Sequence, residues 1–118
     1  MDTIKLFDSE LNLMEILWRE GPLSAKQLSV FAGREIGWNK NTTYTVVKKL
    51  IDKRVVAREE PGFVCSPLLS RDAVQRDETE RLIDRLWAGS KTAFFAAFVD
   101  EHLSEEELDE LKSMIETR

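Results

Sequence analysis

The chain has one cysteine, Cys65, and one histidine, His102. A single cysteine excludes an internal disulfide, so nothing calls for an oxidising compartment. A Cys–His dyad would need those two residues to meet, and they fall in different predicted modules. No Ser–His–Asp set has a supporting context, and there is no glycine-rich phosphate loop, which leaves an enzyme without machinery. No stretch approaches the roughly 18 apolar residues of a membrane span. The opening MDTIKLFDSE has no apolar run long enough for a signal peptide. The expected place is therefore the cytoplasm, with no membrane insertion. No internal repeat or low-complexity tract appears. Metals and cofactors are not expected either. The run Glu105-Glu106-Glu107 reads as the first turn of a helix, where carboxylates meet the positive end of the dipole.

What the chain does have is charge, unevenly spread. Its 118 residues are 42% hydrophobic and 33% charged, with a net charge of −5. That length suits one small domain with an appendage and buries a modest core. Between Arg34 and Arg58 seven basic residues (Arg34, Lys40, Lys48, Lys49, Lys53, Arg54, Arg58) face only Glu35 and Asp52, a local excess of +5. From Ser66 onward seven basic residues meet thirteen acidic ones, giving −6. A basic patch joined to an acidic region locates an anionic partner on one part of the chain and not on the whole.

The apolar spacing predicts a first helix over Phe7 to Glu20, capped by Asp8 or Ser9 and ended by Gly21-Pro22. Its wide stripe of Leu11, Leu13, Met14, Ile16, Leu17 and Trp18 belongs in a core. Ser24 to Gln27 matches a capping box, so a second helix is expected from about Ala25 to Ile36. Gly37 stops it. A third helix is expected over Trp38 to Lys53, with Asn39 as its N-cap.

This third helix has two unlike faces. At about 100° per residue, Thr43, Val46, Val47, Leu50 and Ile51 share an apolar arc. Asn41, Thr45, Lys48, Lys49 and Asp52 lie opposite, with Thr42 at the edge. Asn suits adenine in the major groove, Thr a base or a phosphate, and Lys guanine or phosphate. Lys40, Asn41, Thr42, Thr45, Lys48 and Lys49 are therefore the candidate DNA-binding residues. Two short helices with the second presenting such a face form a helix-turn-helix, whose second helix enters the major groove of double-stranded DNA. Strand-type sequence follows at Arg54 to Glu59 and again at Phe63 to Cys65, separated by Pro61-Gly62. Three helices and a hairpin in that order are the layout of a winged helix.

A further helix is expected from Ser70 to about Trp87, polar nearly all round until Leu82, Ile83, Leu86 and Trp87. Gly89-Ser90 breaks it. Thr92 to Val99 is apolar on every side, and Ser104 to Glu107 is a capping box that opens a last helix with Leu108, Leu111, Met114 and Ile115 at helical spacing. Two short helices offer too little area to bury Phe94, Phe95 and Phe98. A homodimer is therefore expected, with Leu86, Trp87, Phe94, Phe95, Phe98, Leu108, Leu111 and Ile115 as its dimerisation residues. The fold class expected is mainly α with a small β-hairpin: a winged-helix domain over 1–69 and a helical dimerisation domain over 70–118.

In these elements the chain resembles the BlaI/MecI-type penicillinase and methicillin-resistance repressors, over nearly its full length. The resemblance rests on Glu15-Ile-Leu-Trp18, Gly21-Pro22-Leu23-Ser24-Ala25, Gly37-Trp38, Thr42 and Thr45, Lys49-Leu50, Ser66-Pro67-Leu68 and Ser70-Arg71. It implies a dimeric repressor on a palindromic operator, released when a membrane sensor-peptidase system causes cleavage within the dimerisation helices. In the well-known members the cut falls between Asn and Phe. Here the matching bond is Ala97–Phe98, and the changed first residue counts against cleavage there and against a β-lactam signal. The hairpin tip Glu59-Glu60-Pro61-Gly62 is acidic where relatives are basic or aromatic, so the wing is expected to add little to DNA binding. The Cys-x-Cys pair of copper-responsive relatives is missing. The alternative reading is a winged helix used for protein contacts alone.

Overall fold

A computed structural model describes residues 5–118. The first four residues of the segment read for a signal peptide lie outside it. The chain forms two compact units, one ending at Asp77 and one spanning Glu78–Arg118. The described residues contain α1 (Asp8–Glu20), β1 (Leu23–Ser24), α2 (Ala25–Glu35), α3 (Lys40–Asp52), β2 (Val56–Glu59), β3 (Val64–Pro67), α4 (Arg71–Leu86), α5 (Lys91–His102) and α6 (Glu105–Glu116). Among them no helix is long and apolar enough to cross a membrane. The fold is mainly helical, a winged helix with a helical C-terminal region.

In the first unit the stripe of α1 does what its spacing predicts. Leu13, Met14, Ile16 and Leu17 are buried, with Leu28 and Ala32 of α2 and Val46, Val47 and Leu50 of α3. The N-terminal cap differs from the sequence reading. Phe7, not Asp8 or Ser9, is the N-cap residue, and it has no side-chain acceptor to offer. The Glu10 carboxylate instead reaches back to accept the Phe7 N–H at 2.8 Å. At α2 the capping box is complete: Ser24 Oγ accepts from the Gln27 N–H, and Gln27 Oε1 accepts from the Ser24 N–H, both at 3.0 Å.

The hairpin is a sheet of three strands, because β1 joins it. Strand order is β1-β3-β2, all antiparallel, with Leu23 opposite Cys65 and Arg58 opposite Cys65 from the other side. A two-residue strand has no period to read, and its residues double as the entry to α2. The first strand of the hairpin starts two residues later than its sequence implies. Arg54 and Val55 instead close α3: the Val55 N–H bonds Leu50 O and the Arg54 N–H bonds Ile51 O, both at 3.0 Å. This is a Schellman motif with Arg54 at φ 62°, a site where glycine is the usual occupant.

The opening turns of α4 are tied to the first unit. Ser70 Oγ caps the helix at Ala73 N–H. The Trp18 indole N–H donates to Leu69 O at 2.9 Å, and Arg71 pairs with Glu15. Val74, inside the stretch read as polar nearly all round, joins the core of this unit.

In the second unit only Ile83 is buried among the large apolar residues. No residue of α5 or α6 is buried at all. Their caps are sound, with Ser90 Oγ accepting from Ala93 N–H and Ser104 and Glu107 forming the expected capping box.

Candidate nucleic-acid interface

The α2–α3 turn depends on Gly37, at φ 76° with open space around its α-carbon, so only conformation demands glycine there. Asn39 then caps α3: its Oδ1 accepts the Thr42 N–H at 2.8 Å. Thr43 is fully buried and donates its hydroxyl to Asn39 O. With Val46, Val47 and Leu50 also inward, the helix has no rotational freedom about its axis. Its other side is fixed as a consequence. Lys40, Asn41, Thr42, Thr45, Lys48 and Lys49 are all exposed.

The chemistry of that face is partly preset. The Thr45 hydroxyl donates to Asn41 O at 2.9 Å, so it has its methyl group and its lone pairs left to offer a ligand. Such a threonine accepts from a base amino group or meets a thymine methyl. The Lys40 ammonium lies 5.6 Å from the Tyr44 ring centroid. Lys48 and Lys49 form no salt bridge among the described residues. Over about two and a half helical turns these cations share the helix with the amide of Asn41 and the hydroxyls of Thr42 and Thr45, and Asp52 is the one acid in α3.

The local excess of +5 does not all belong to this face. Lys53 turns away: its Nζ donates to Glu10 Oε1 at 2.7 Å and to Lys5 O at 2.8 Å, and lies 4.5 Å from the Phe7 ring centroid. Glu10 is fully buried, so Lys53 serves to neutralise it. Arg34 lies over Phe31. The opposing carboxylate Glu35 is held by the Arg19 guanidinium, which keeps it below the usual carboxylate range.

The wing holds a feature that the sequence reading missed. The Arg58 guanidinium carbon sits 3.7 Å from the Phe63 ring centroid, and its Nε donates to Glu60 Oε1 at 2.7 Å. Phe63 in turn meets Tyr44 of α3 edge-on, with centroids 5.9 Å apart. One strand and one turn residue, five apart in sequence, form this stack across the hairpin; no helical or strand period brings them out.

The candidate dimerisation residues divide into two sets. Leu86, Phe95, Phe98 and Ile115 are exposed, at 60%, 42%, 41% and 58%. Trp87, Phe94, Leu108 and Leu111 are half-buried. Trp87, Phe94, Phe98 and His102 form an aromatic ladder, with centroid spacings of 5.0, 6.0 and 5.4 Å. A shallow cleft of about 80 Å³ runs along it, lined by Trp87, Phe94, Ala97, Phe98, Glu101 and His102. The Ala97–Phe98 bond lies in mid-helix in α5.

Cys65 is buried in β3, and burial pushes its thiol up to about 11, so it is a poor nucleophile. Among the described residues no group of three or more His, Cys, Asp or Glu side chains could hold a metal ion.

The chain is similar to the methicillin resistance regulatory protein MecI of Mammaliicoccus sciuri, of Staphylococcus aureus strain N315 and of Staphylococcus epidermidis. Each is 22% identical over 116 residues, which cover 96% of this chain and 94% of the relative. A family model for penicillinase repressors matches residues 6–117. Matched over almost its whole length, the chain belongs to the penicillinase repressor family and is a transcriptional repressor of that type, not an enzyme.

Proposed function

We propose that the protein binds a palindromic operator in double-stranded DNA as a homodimer and represses transcription from it in the cytoplasm. The observation that carries this reading is the exposed face of α3, held by the burial of Thr43, Val46, Val47 and Leu50 on its other side. Asn41, Thr42 and Thr45 approach base edges; Lys40, Lys48 and Lys49 hold phosphates or read guanine. The dimer reading rests on the unburied α5 and α6. Phe95, Phe98 and Ile115 stay exposed in a single chain, and a second copy of the same helices supplies the cover. Two such chains place two reading helices about one helical turn apart, or a multiple of it.

Release follows from the same architecture. One copy makes half the phosphate contacts, and affinity falls steeply as the number of neutralised phosphates drops. Any event that parts the copies frees the operator. Cleavage within α5, at Ala97–Phe98, by a membrane sensor-peptidase system is one such event. It must first open the helix around that bond.

A mobility-shift titration tests the DNA reading, using duplex enriched by the chain itself from a random pool. Binding should weaken by at least tenfold between roughly 50 and 200 mM salt. A chain that enriches no duplex, and binds none at low salt, is a winged helix for protein contacts and ends the proposal.

A further inference from the structure

Glu60 is the observation with no place in the function above. A carboxylate at the tip of a wing repels phosphate, yet this one is built in. Its Oε1 accepts from Arg58 Nε at 2.7 Å, and its Oε2 accepts from the Phe63 N–H at 3.1 Å. Glu59, its neighbour, forms no salt bridge among the described residues and is exposed. The two acids of the wing therefore stand in different relations to its one arginine.

We infer that Glu60 is an internal stand-in for a DNA phosphate: it occupies Arg58 in the free protein and gives it up when the reading helices have brought a backbone phosphate to the wing. Three features of the geometry support this. First, Glu60 holds the Nε–H of Arg58 and offsets the charge of its guanidinium, so Arg58 has less to give a phosphate while that pair stands. Second, Arg58 is already placed. Its guanidinium lies on Phe63, Phe63 abuts Tyr44, and Tyr44 carries Lys40, which makes one continuous stack from the wing to the first turn of α3. Arg58 can exchange partners while it stays on the ring, so little ordering is lost. Third, Glu60 need not leave the turn when it releases Arg58. Its second oxygen remains on the Phe63 N–H and acts as the pivot.

The arrangement acts as a filter. An isolated wing arginine adds attraction to any duplex. A masked one adds it only where a phosphate sits close enough to displace Glu60, which requires the helices to be seated first. The masked wing thereby lowers nonspecific affinity more than specific affinity, in a chain whose net charge of −5 already disfavours loose binding.

This inference rests on the DNA reading above, and one set of titrations separates their failures. Anisotropy is measured on the duplex enriched by the unaltered chain, for the unaltered chain, Glu60→Gln, Glu59→Gln, and both changes again in an Arg58→Ala background. Glutamine has a single acceptor oxygen, so Glu60→Gln removes the charge and one of the two acceptor contacts, and the Arg58→Ala background shows whether the effect runs through Arg58. Glu60→Gln should tighten binding about fivefold to tenfold and steepen the dependence on log salt by about one, while Glu59→Gln tightens it at most about twofold. In the Arg58→Ala background the two changes should have equal effects. Equal effects of Glu60→Gln and Glu59→Gln with Arg58 present, or a Glu60→Gln advantage that survives Arg58→Ala, overturns the mask and leaves the DNA reading standing. A chain that enriches no duplex overturns both. The unaltered protein offers a second check that needs no variant. The Arg58 Nε–H resonance should shift when duplex is added, and a resonance that stays in place also overturns the proposal.

Discussion

The two units of this chain are each helical and capped, but they differ in what their helices bury. In the first, three helices and a sheet enclose Leu13, Met14, Leu17, Leu28, Val47 and Leu50 almost completely. In the second, α5 is more apolar than any helix of the first, yet none of its residues is buried. Apolar content alone therefore does not make a core. A stripe makes one, because a stripe lets a helix face its neighbours on one side and water on the other. A helix apolar all round has no such side, and the proposed second copy is what it lacks. The first unit is expected to be stable at any concentration of chain, and the second only where copies meet.

The largest effect should come from attacking the second unit. Phe98→Glu places a charge on the proposed apolar interface and should raise the dimer Kd on the order of a thousandfold. Sedimentation should find monomers, with the melting of the first unit unchanged. A dimer that survives breaks the comparison. Next in size is Leu50→Ala, which empties a fully buried site of the first unit and should cost about 3 kcal/mol. Denaturant unfolding should give the same loss at low and high chain concentration; a loss that depends on concentration would mean that the two units are not distinct in this respect.

Slightly smaller is the effect at the buried pair that joins the start of α1 to the end of α3. Glu10→Ala removes the acceptor of both the Phe7 N–H and Lys53 Nζ and should destabilise the first unit by about 2 kcal/mol. Lys53 is partly exposed and can reach water, so the loss stays below that of a wholly buried pair. Smaller again is Thr45→Ala on the exposed face, which should cost about 1 kcal/mol of operator binding and leave the melting temperature unchanged. Unchanged affinity in a mobility-shift titration would remove Thr45 from the reading face. The least perturbing probe is Cys65. Its buried, high-pKa thiol should resist alkylation until the first unit unfolds, so labelling followed by mass spectrometry reports the opening of that unit. Rapid labelling in native buffer would show the sheet to be looser than the core around it.

Much of this was legible in one dimension because the signals were local. The capping boxes at Ser24 and Ser104 and the Asn39 cap are each set by residues three positions apart, and the inward arc of Thr43, Val46, Val47 and Leu50 by residues within seven. Helical spacing assigns such residues to a face without knowledge of what lies opposite. The exposure of Lys40, Asn41, Thr42, Thr45, Lys48 and Lys49 follows in the same way.

What the sequence by itself determined is thus the set of helices, their faces, and the family likeness carried by their order. Only the tertiary structure decided how the charges are used. In a local sum Lys53 and Arg58 count alike and Glu35 counts against them, yet Lys53 neutralises a buried glutamate 43 positions away, Arg58 stacks on Phe63 beside Glu60, and Glu35 is held by Arg19. The two-residue strand β1 and the Val74 contribution to the first core were settled there too. The physical reason is the same in each case. A residue's spacing fixes the direction in which it points, but the partner waiting in that direction comes from a distant part of the chain, and only folding brings it there.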